Sequence, residues 1–188
     1  MGARRCRRRT RTDRADAHRP DRERTRVNRR IALDGAGALA RLGLAAVWLI
    51  SGAIKVADPD QFYGAVRAYQ LFGGSVSSVL AAVIPFLELA LGLLLVLGLG
   101  VRLVAVLSGL LLLAYIAGVA QSWARGLTID CGCFGGGGQV AAGQTHYGTE
   151  ILRDIGFLVL AAWLTWRPRT PLSLDGLFTR RTRSLGEA

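Results

Sequence analysis

Charged residues are almost absent from the middle of this 188-residue sequence, which has few cysteines and histidines as well. Between Arg67 and Arg125, only Glu88 and Arg102 carry a charge. Arg102 and Arg125 enclose the run "LVAVLSGLLLLAYIAGVAQSWA", and a helix needs about 20 apolar residues to cross the hydrocarbon core of a bilayer. The scarcity of charge therefore disfavours a soluble helical core and predicts an integral membrane protein.

Motifs for nucleotide and hydrolytic chemistry are also missing. The sequence contains no internal repeat, P-loop, Rossmann fingerprint, HExxH motif or nucleophile elbow. Its arginine-rich start lacks the interleaved aromatic residues typical of nucleic-acid binding. We therefore expect no nucleic-acid partner and no hydrolase or nucleotide-dependent activity.

Four hydrophobic stretches predict the fold. The fold class that they indicate is an all-α integral membrane protein, a bundle of four transmembrane helices with an extracytoplasmic Cys-Gly-Cys loop. Phe62 to Leu71, in the outer loop between the first two spans, have an amphipathic pattern that predicts a short helix lying at the membrane interface. The four stretches are the run between Arg41 and Lys55, Ser77 to Leu97, the run between Arg102 and Arg125, and Tyr147 to Trp166.

The distribution of positive charge predicts the orientation. Of the 24 lysines and arginines, fourteen lie up to Arg41, Arg102 lies in a turn and five follow Trp166. By the positive-inside rule, both termini are cytoplasmic and the loop that holds Cys131 and Cys133 is extracytoplasmic. We expect a multi-pass protein of the cell membrane, in contact with the lipid bilayer.

The arginine-rich start is too polar to bury a core. The predicted organisation is a disordered cytoplasmic tail over residues 1–34, a membrane domain over 35–168 and a cytoplasmic tail over 169–188. A translation start near Val27 is an alternative to a start at Met1, because the membrane part is complete without the tail.

Cys131 and Cys133 stand one residue apart, before a run of four glycines. Outside the cytoplasm such thiols tend to form disulfides. Gly132 permits the bend that so small a ring needs, since glycine adopts positive φ without a steric penalty. A strained bridge is easily reduced, which is typical of exchanging disulfides. We expect the glycines to leave this pair open to a partner's thiolate, with remote Cys6 idle.

Two other interpretations of the cysteines stay open. A metal site could use Asp130, Cys131, Cys133 and His146, although zinc sites usually space their cysteines by two to four residues and add a second ligand pair. The thiols could also be inert or palmitoylated. Redox chemistry remains the favoured hypothesis.

Several charged residues lie inside or beside the predicted spans. Glu88 lies near the middle of the second span, where a carboxylate needs a partner. Glu150, Arg153 and Asp154 share a helix face, so that the guanidinium is expected to bridge both carboxylates. These residues and Lys55 either hold the helices together, or lower the pKa of a cysteine, or position an electron acceptor such as a quinone.

Four pieces of sequence in a fixed order carry a family resemblance over Arg41 to Arg167. They are "SGAIKVADPDQF", "IPFLELALG", "DCGCFG" and "EILRDIGFLVLAA". In this order they resemble the MauE branch of the DoxX-like membrane proteins, a family named for methylamine utilisation.

The resemblance implies thiol redox chemistry or disulfide formation during the maturation of extracytoplasmic enzymes, beside a thioredoxin-like partner. Carried over, it makes Cys131 and Cys133 the exchanging pair of a thiol-disulfide oxidoreductase, supported by Lys55, Glu88 and Arg153. The chemistry of such electron transfer is compatible with a quinone as cofactor, although no motif in the sequence indicates one. The alternative is a non-enzymatic DoxX-like subunit that scaffolds a redox or oxidase complex.

Overall fold

The computed structural model describes residues 19–132, 137–141, 143 and 145–167 of the chain. These residues form five helices and one antiparallel pair of short strands. In chain order the elements are α1 Arg19–Ala57, α2 Pro59–Ala68, α3 Gly74–Leu97, α4 Val101–Ala124, β1 Ile129–Asp130, β2 Gly138–Gln139 and α5 Tyr147–Trp166.

Three helices are long and apolar enough to cross a membrane: α1 from Val27 to Ala57, α3 and α4. The predicted all-α membrane fold is confirmed. Helix α5 has the predicted bounds, Tyr147–Trp166, but it is not among the candidate spans because charged residues occupy its first two turns. Whether α5 is a fourth span remains a prediction.

Helix α1 begins at Arg19, within the segment 1–34 that the sequence analysis treats as a tail. Arginine favours helix, and a helix that has formed in an apolar span extends at little further cost. The structure therefore has helix over residues 19–34, where the sequence analysis expects disorder, whereas residues 1–18 lie outside the described part of the chain.

Helices α1 and α3 approach each other closely through two glycines. A Cβ on Gly52 would lie 2.9 Å from the carbonyl oxygen of Pro85, and a Cβ on Gly92 would lie 3.1 Å from that of Ala45. Small residues at such contacts let membrane helices pack backbone to backbone. Lys55 lies three residues after Gly52, and Glu88 lies four residues before Gly92. The close contact thus sets these two side chains opposite each other.

Helices α4 and α5 form a second closely packed pair, and an apolar core joins the two pairs. Across this core the indole nitrogen of Trp48 on α1 donates to Ser108 Oγ on α4, at 2.9 Å. The bond satisfies two polar groups that would be costly to bury alone. The largest fully buried apolar side chains of the core are Leu44, Trp48, Leu91, Leu95, Val101 and Leu164.

Helix α2, Pro59–Ala68, is the short helix that the amphipathic pattern of Phe62 to Leu71 predicts, although it begins and ends three residues earlier. The Asp58 side chain caps it by accepting from the backbone N–H of Gln61 at 3.0 Å, and Pro59 occupies its first turn. Beyond its end, Gln70 has a positive φ of 52°. Arg125 holds this turn by donating to the Tyr69 carbonyl oxygen at 3.3 Å and to the Gln70 side chain at 3.4 Å.

The tight contact of α1 with α3 gives a first prediction. Gly52→Val should push α3 away and destabilise the protein by roughly 1 to 3 kcal/mol, the usual range for overpacking a well-packed contact. Gly43→Val is the matched control, because a Cβ at Gly43 on the same helix would meet nothing within 4 Å. Thermal unfolding in mild detergent, followed by circular dichroism, compares the two. Equal midpoints would contradict the packing described here.

Candidate functional site

A buried ion pair joins α1 to α3. The Lys55 ammonium is bonded to Glu88 Oε1, and the two side chains are 2% and 0% exposed. The same ammonium donates to Ser51 Oγ at 2.9 Å. Charges are costly to remove from water unless they are paired and hydrogen-bonded. The structure thus brings together two of the residues that the sequence analysis selected.

Aromatic side chains complete the surroundings of this pair. Tyr115 on α4 donates its hydroxyl proton to Glu88 Oε1. The Lys55 nitrogen lies 5.2 Å from the centre of the Tyr115 ring and 5.0 Å from that of Phe62 on α2, within the range of cation–π attraction. Glu88 Oε2 is buried and has no hydrogen-bond partner among the described residues.

Arg153 and Asp154 extend the charged cluster from α5. The Arg153 Nε donates to Asp154 Oδ1 at 3.1 Å, and Nη2 of the same guanidinium lies 3.1 Å from that oxygen, within ion-pairing distance. Asp154 is 3% exposed and close enough to Lys55 for the two charges to interact. The predicted bridge is therefore formed to Asp154, and the positive charge of Arg153 also acts on Glu150.

Cys131 is disulfide-bonded in the structure. Cys133, the second residue of the proposed pair, lies outside the described residues. Cys131 itself is only 7% exposed. It packs in a cluster with Val119 and Tyr147, and Tyr69 lies against that cluster. The expectation of an open sulfur is therefore wrong for Cys131, because these side chains cover it.

The glycines beside Cys131 are needed for packing. Gly132 has a φ of 70°, the conformation expected of it, and Gly137 has a φ of 97°. A Cβ on Gly137 would lie 2.7 Å from the Gly132 Cα and 2.8 Å from the Ala65 Cβ on α2. Asp130 pairs with Gly138 in the two-stranded sheet. Only glycine permits this combination of positive φ and close approach.

Polar contacts fix the backbone of Cys131. The Tyr69 hydroxyl donates to the Cys131 carbonyl oxygen at 3.2 Å, and the Cys131 N–H donates to Glu150 Oε1 at 3.5 Å. Burial and nearby carboxylates raise the pKa of Tyr69 above its usual value, so the phenol remains a donor. Tyr147 anchors the preceding residues by accepting from the Ile129 N–H at 3.0 Å.

Tyr115 makes the two parts of the site continuous. It bonds Glu88 and also lies against the cluster that contains Cys131. Neither Tyr115 nor the hydroxyl contact of Tyr69 is predicted by the sequence patterns described above. A usable signal existed, since Tyr115 is the one tyrosine inside the third span and a buried phenol needs a hydrogen-bond partner.

The structure does not assemble the alternative metal site within its described residues. That part of the chain holds no group of three or more His, Cys, Asp or Glu side chains suited to a metal ion. His146 is exposed at the start of α5. Cys133 is outside the described ranges, so the full candidate set is not represented.

A second prediction follows from the buried pair. Glu88→Leu leaves the Lys55 charge without its partner and should destabilise the protein by about 3 to 5 kcal/mol. Adding Lys55→Met should recover most of that loss, because a pair of apolar residues leaves no buried charge. Denaturant unfolding of the single and double variants in detergent measures this coupling. Strictly additive effects would show that the two side chains do not depend on each other.

Comparisons with known proteins agree with this architecture. The family model described as "Methylamine utilisation protein MauE" matches residues 33–167. The methylamine utilization protein MauE of Paracoccus denitrificans is 36% identical over 98 residues, which are 52% of this chain and 53% of that protein. The chain thus matches about half the length of this relative. No solved structure matches the chain.

The family match contains α2, α3, α4 and α5 in full, together with α1 from residue 33 onward. It therefore covers well over half of the chain and all the residues of the site described above. With three helices able to cross a membrane, the chain belongs to the MauE family of multi-pass membrane proteins.

Proposed function

We propose that this protein is a membrane thiol–disulfide redox protein. It exchanges electrons through Cys131 and Cys133 with an extracytoplasmic thioredoxin-like protein or client during protein maturation. The observation that carries the proposal is the disulfide at Cys131. The chain has only three cysteines, and Cys6 belongs to the arginine-rich segment on the opposite side of the membrane. Cys133 is then the partner of Cys131.

The exchange balances as a transfer of two electrons and two protons. A partner thiolate attacks one sulfur of the pair and forms a mixed disulfide, and a second partner thiol then resolves it. The partner leaves oxidised and the pair is left as two thiols. Exchange is reversible, so the reduction potential of the partner sets its direction. A membrane quinone is the class of compound that would reoxidise the pair, since it accepts two electrons and two protons.

The proposed topology has four spans, with both termini cytoplasmic and the cysteine loop outside. In this arrangement α5 crosses the bilayer within a membrane domain of residues 35–168, between tails over 1–34 and 169–188. The bond between Arg153 and Asp154 supports it, because a charged residue within a span needs a partner in the protein. The charge distribution of the sequence supports the orientation.

In this proposal Lys55, Glu88 and Arg153 have a structural role. Their contacts hold the helices of the bundle in the arrangement against which Cys131 packs. The name of the Paracoccus denitrificans relative supports methylamine utilisation as the pathway that uses this exchange. The contrasting function is a DoxX-like scaffold of a redox or oxidase complex, for which the cysteines would be incidental.

Capture of a mixed disulfide tests the proposal. Cys131→Ser leaves Cys133 without its resolving thiol and should accumulate an adduct in native membranes after acid quench and alkylation with a heavy maleimide. Cys133→Ser should accumulate several-fold less, because the remaining sulfur belongs to a residue that is 7% exposed. Cys6→Ser is the control. It keeps both Cys131 and Cys133, so no mixed disulfide should accumulate.

The double variant Cys131→Ser with Cys133→Ser separates the two functions. A redox protein loses its support of client maturation, whereas a scaffold keeps it. Full maturation with the double variant, together with no adduct in either single variant, would contradict the proposal.

A further inference from the structure

Helix α1 is longer than a membrane crossing requires. Its 39 residues correspond to a length of about 58 Å, whereas the hydrocarbon core of a bilayer is about 30 Å thick. Even its apolar part, Val27–Ala57, has 31 residues and a length of about 46 Å, so the first turns of that part lie outside the core. We call residues 19–34 the basic arm. The family match begins at residue 33, so nearly all of the basic arm precedes the shared domain.

Positive charge is concentrated in the basic arm. Residues 19–30 contain six arginines and only two acidic residues, Asp21 and Glu23, which gives a net charge of +4. Four of the arginines follow one another at intervals of three, four and three residues, so their positions share one face of the helix. Like charges on one face repel each other, and a negatively charged partner relieves that repulsion. These four residues are Arg19, Arg22, Arg26 and Arg29.

Two large apolar side chains described in the basic arm are exposed. Val27 is 50% exposed and Ile31 is 65% exposed, and their spacing of four residues places them on the same side of the helix. Arg24 and Arg29 are exposed in the same part of α1. Exposed apolar side chains beside arginines on one helix are typical of helices that lie in the interface of a membrane. There the apolar groups enter the acyl boundary while the guanidinium groups remain among the headgroups.

Small residues connect the basic arm to the rest of α1. Asp34 is followed by Gly35, Ala36, Gly37 and Ala38. Closely spaced small residues of this kind are common places for a helix to bend, and a Cβ on Gly35 would meet nothing within 4 Å. A bend here leaves the contact of α1 with α3 intact, because that contact lies further along the helix. The basic arm is thus able to lie along the membrane surface.

We propose that the basic arm binds the anionic phospholipid headgroups of the membrane surface from which it emerges. This is the cytoplasmic leaflet in the proposed topology. Headgroup phosphates supply the negative charge that the arginine face attracts, and a guanidinium binds phosphate through two parallel hydrogen bonds. Val27 and Ile31 insert below the headgroups.

Two observations favour a lipid surface over another polyanion. The basic arm is continuous with a membrane span, so its arginines are held within reach of the headgroups. Its exposed Val27 and Ile31 have a place in the acyl boundary of a bilayer, whereas the phosphate backbone of a nucleic acid offers them none. This lipid site goes beyond the proposed redox function and does not depend on it.

Hydrogen–deuterium exchange of the full-length protein in lipid nanodiscs tests the proposal. Nanodiscs of phosphatidylcholine alone are compared with nanodiscs in which about a third of the lipid is phosphatidylglycerol. The backbone amides of residues 19–34 should exchange at least about fivefold more slowly with phosphatidylglycerol, because the bound helix opens less often. Raising the salt from about 0.05 M to about 0.5 M should remove most of this difference, since salt screens the attraction.

A matched pair of variants assigns the effect to the arginine face. The first combines Arg22→Gln, Arg26→Gln and Arg29→Gln. It should abolish the slowing by phosphatidylglycerol, while glutamine preserves the helix propensity. The control removes the same amount of charge from the C-terminal tail and should keep the slowing. It combines Arg180→Gln, Arg181→Gln and Arg183→Gln. Exchange in α3 and α4, measured in the same samples, reports that each variant is folded and should not change.

Three results would overturn the proposal. Equal exchange in the two kinds of nanodisc would show that the basic arm does not respond to lipid charge. Slowing that persists in the variant of the arginine face would show that these arginines are not the binding group. Slowing by a single-stranded RNA oligonucleotide in phosphatidylcholine nanodiscs, with none by phosphatidylglycerol, would identify nucleic acid as the partner instead.

Discussion

The buried ion pair between Lys55 and Glu88 is the interaction on which the arrangement of this bundle depends. Two charges inside a membrane protein are stable only when each satisfies the other and further polar groups complete their bonding. Here the second condition is met by Ser51 and Tyr115. Because these partners come from α1 and α4 while Glu88 comes from α3, the pair fixes three helices in one arrangement. The glycine contact between α1 and α3 makes the approach possible.

Hydrogen-bonded and packed side chains connect this ion pair to Cys131. Tyr115 bonds Glu88 and packs against the cluster around the cysteine, and Tyr69 bonds the cysteine carbonyl oxygen from the end of α2. The disulfide is thus attached to the polar interior of the bundle through packed aromatic side chains. In the exchange that we propose, the burial of Cys131 favours attack by a partner on the other sulfur of the disulfide.

Much of the fold follows from the sequence because charge and hydrophobicity are local properties. The uncharged runs indicate the spans, and the amphipathic pattern of Phe62 to Leu71 indicates a short helix, which the structure has at Pro59–Ala68. The bond from Tyr115 to Glu88 cannot be predicted from the sequence, because it depends on how two helices are rotated about their axes. The burial of Cys131 depends equally on tertiary contacts with Tyr69 and Tyr147. The glycine run predicts an open approach to the cysteines, yet Gly137 packs closely against Gly132 and Ala65.

The central claim is that the disulfide at Cys131 exchanges, and a redox titration tests it most directly. Membranes that contain the protein would be equilibrated in thiol–disulfide buffers of defined potential, acid-quenched and alkylated, and the fraction of reduced Cys131 measured by mass spectrometry. The account predicts one reversible two-electron transition between about −270 and −120 mV, the range of thioredoxin-fold oxidoreductases. A disulfide that stays intact down to potentials below about −300 mV would be structural, and that result would contradict the account.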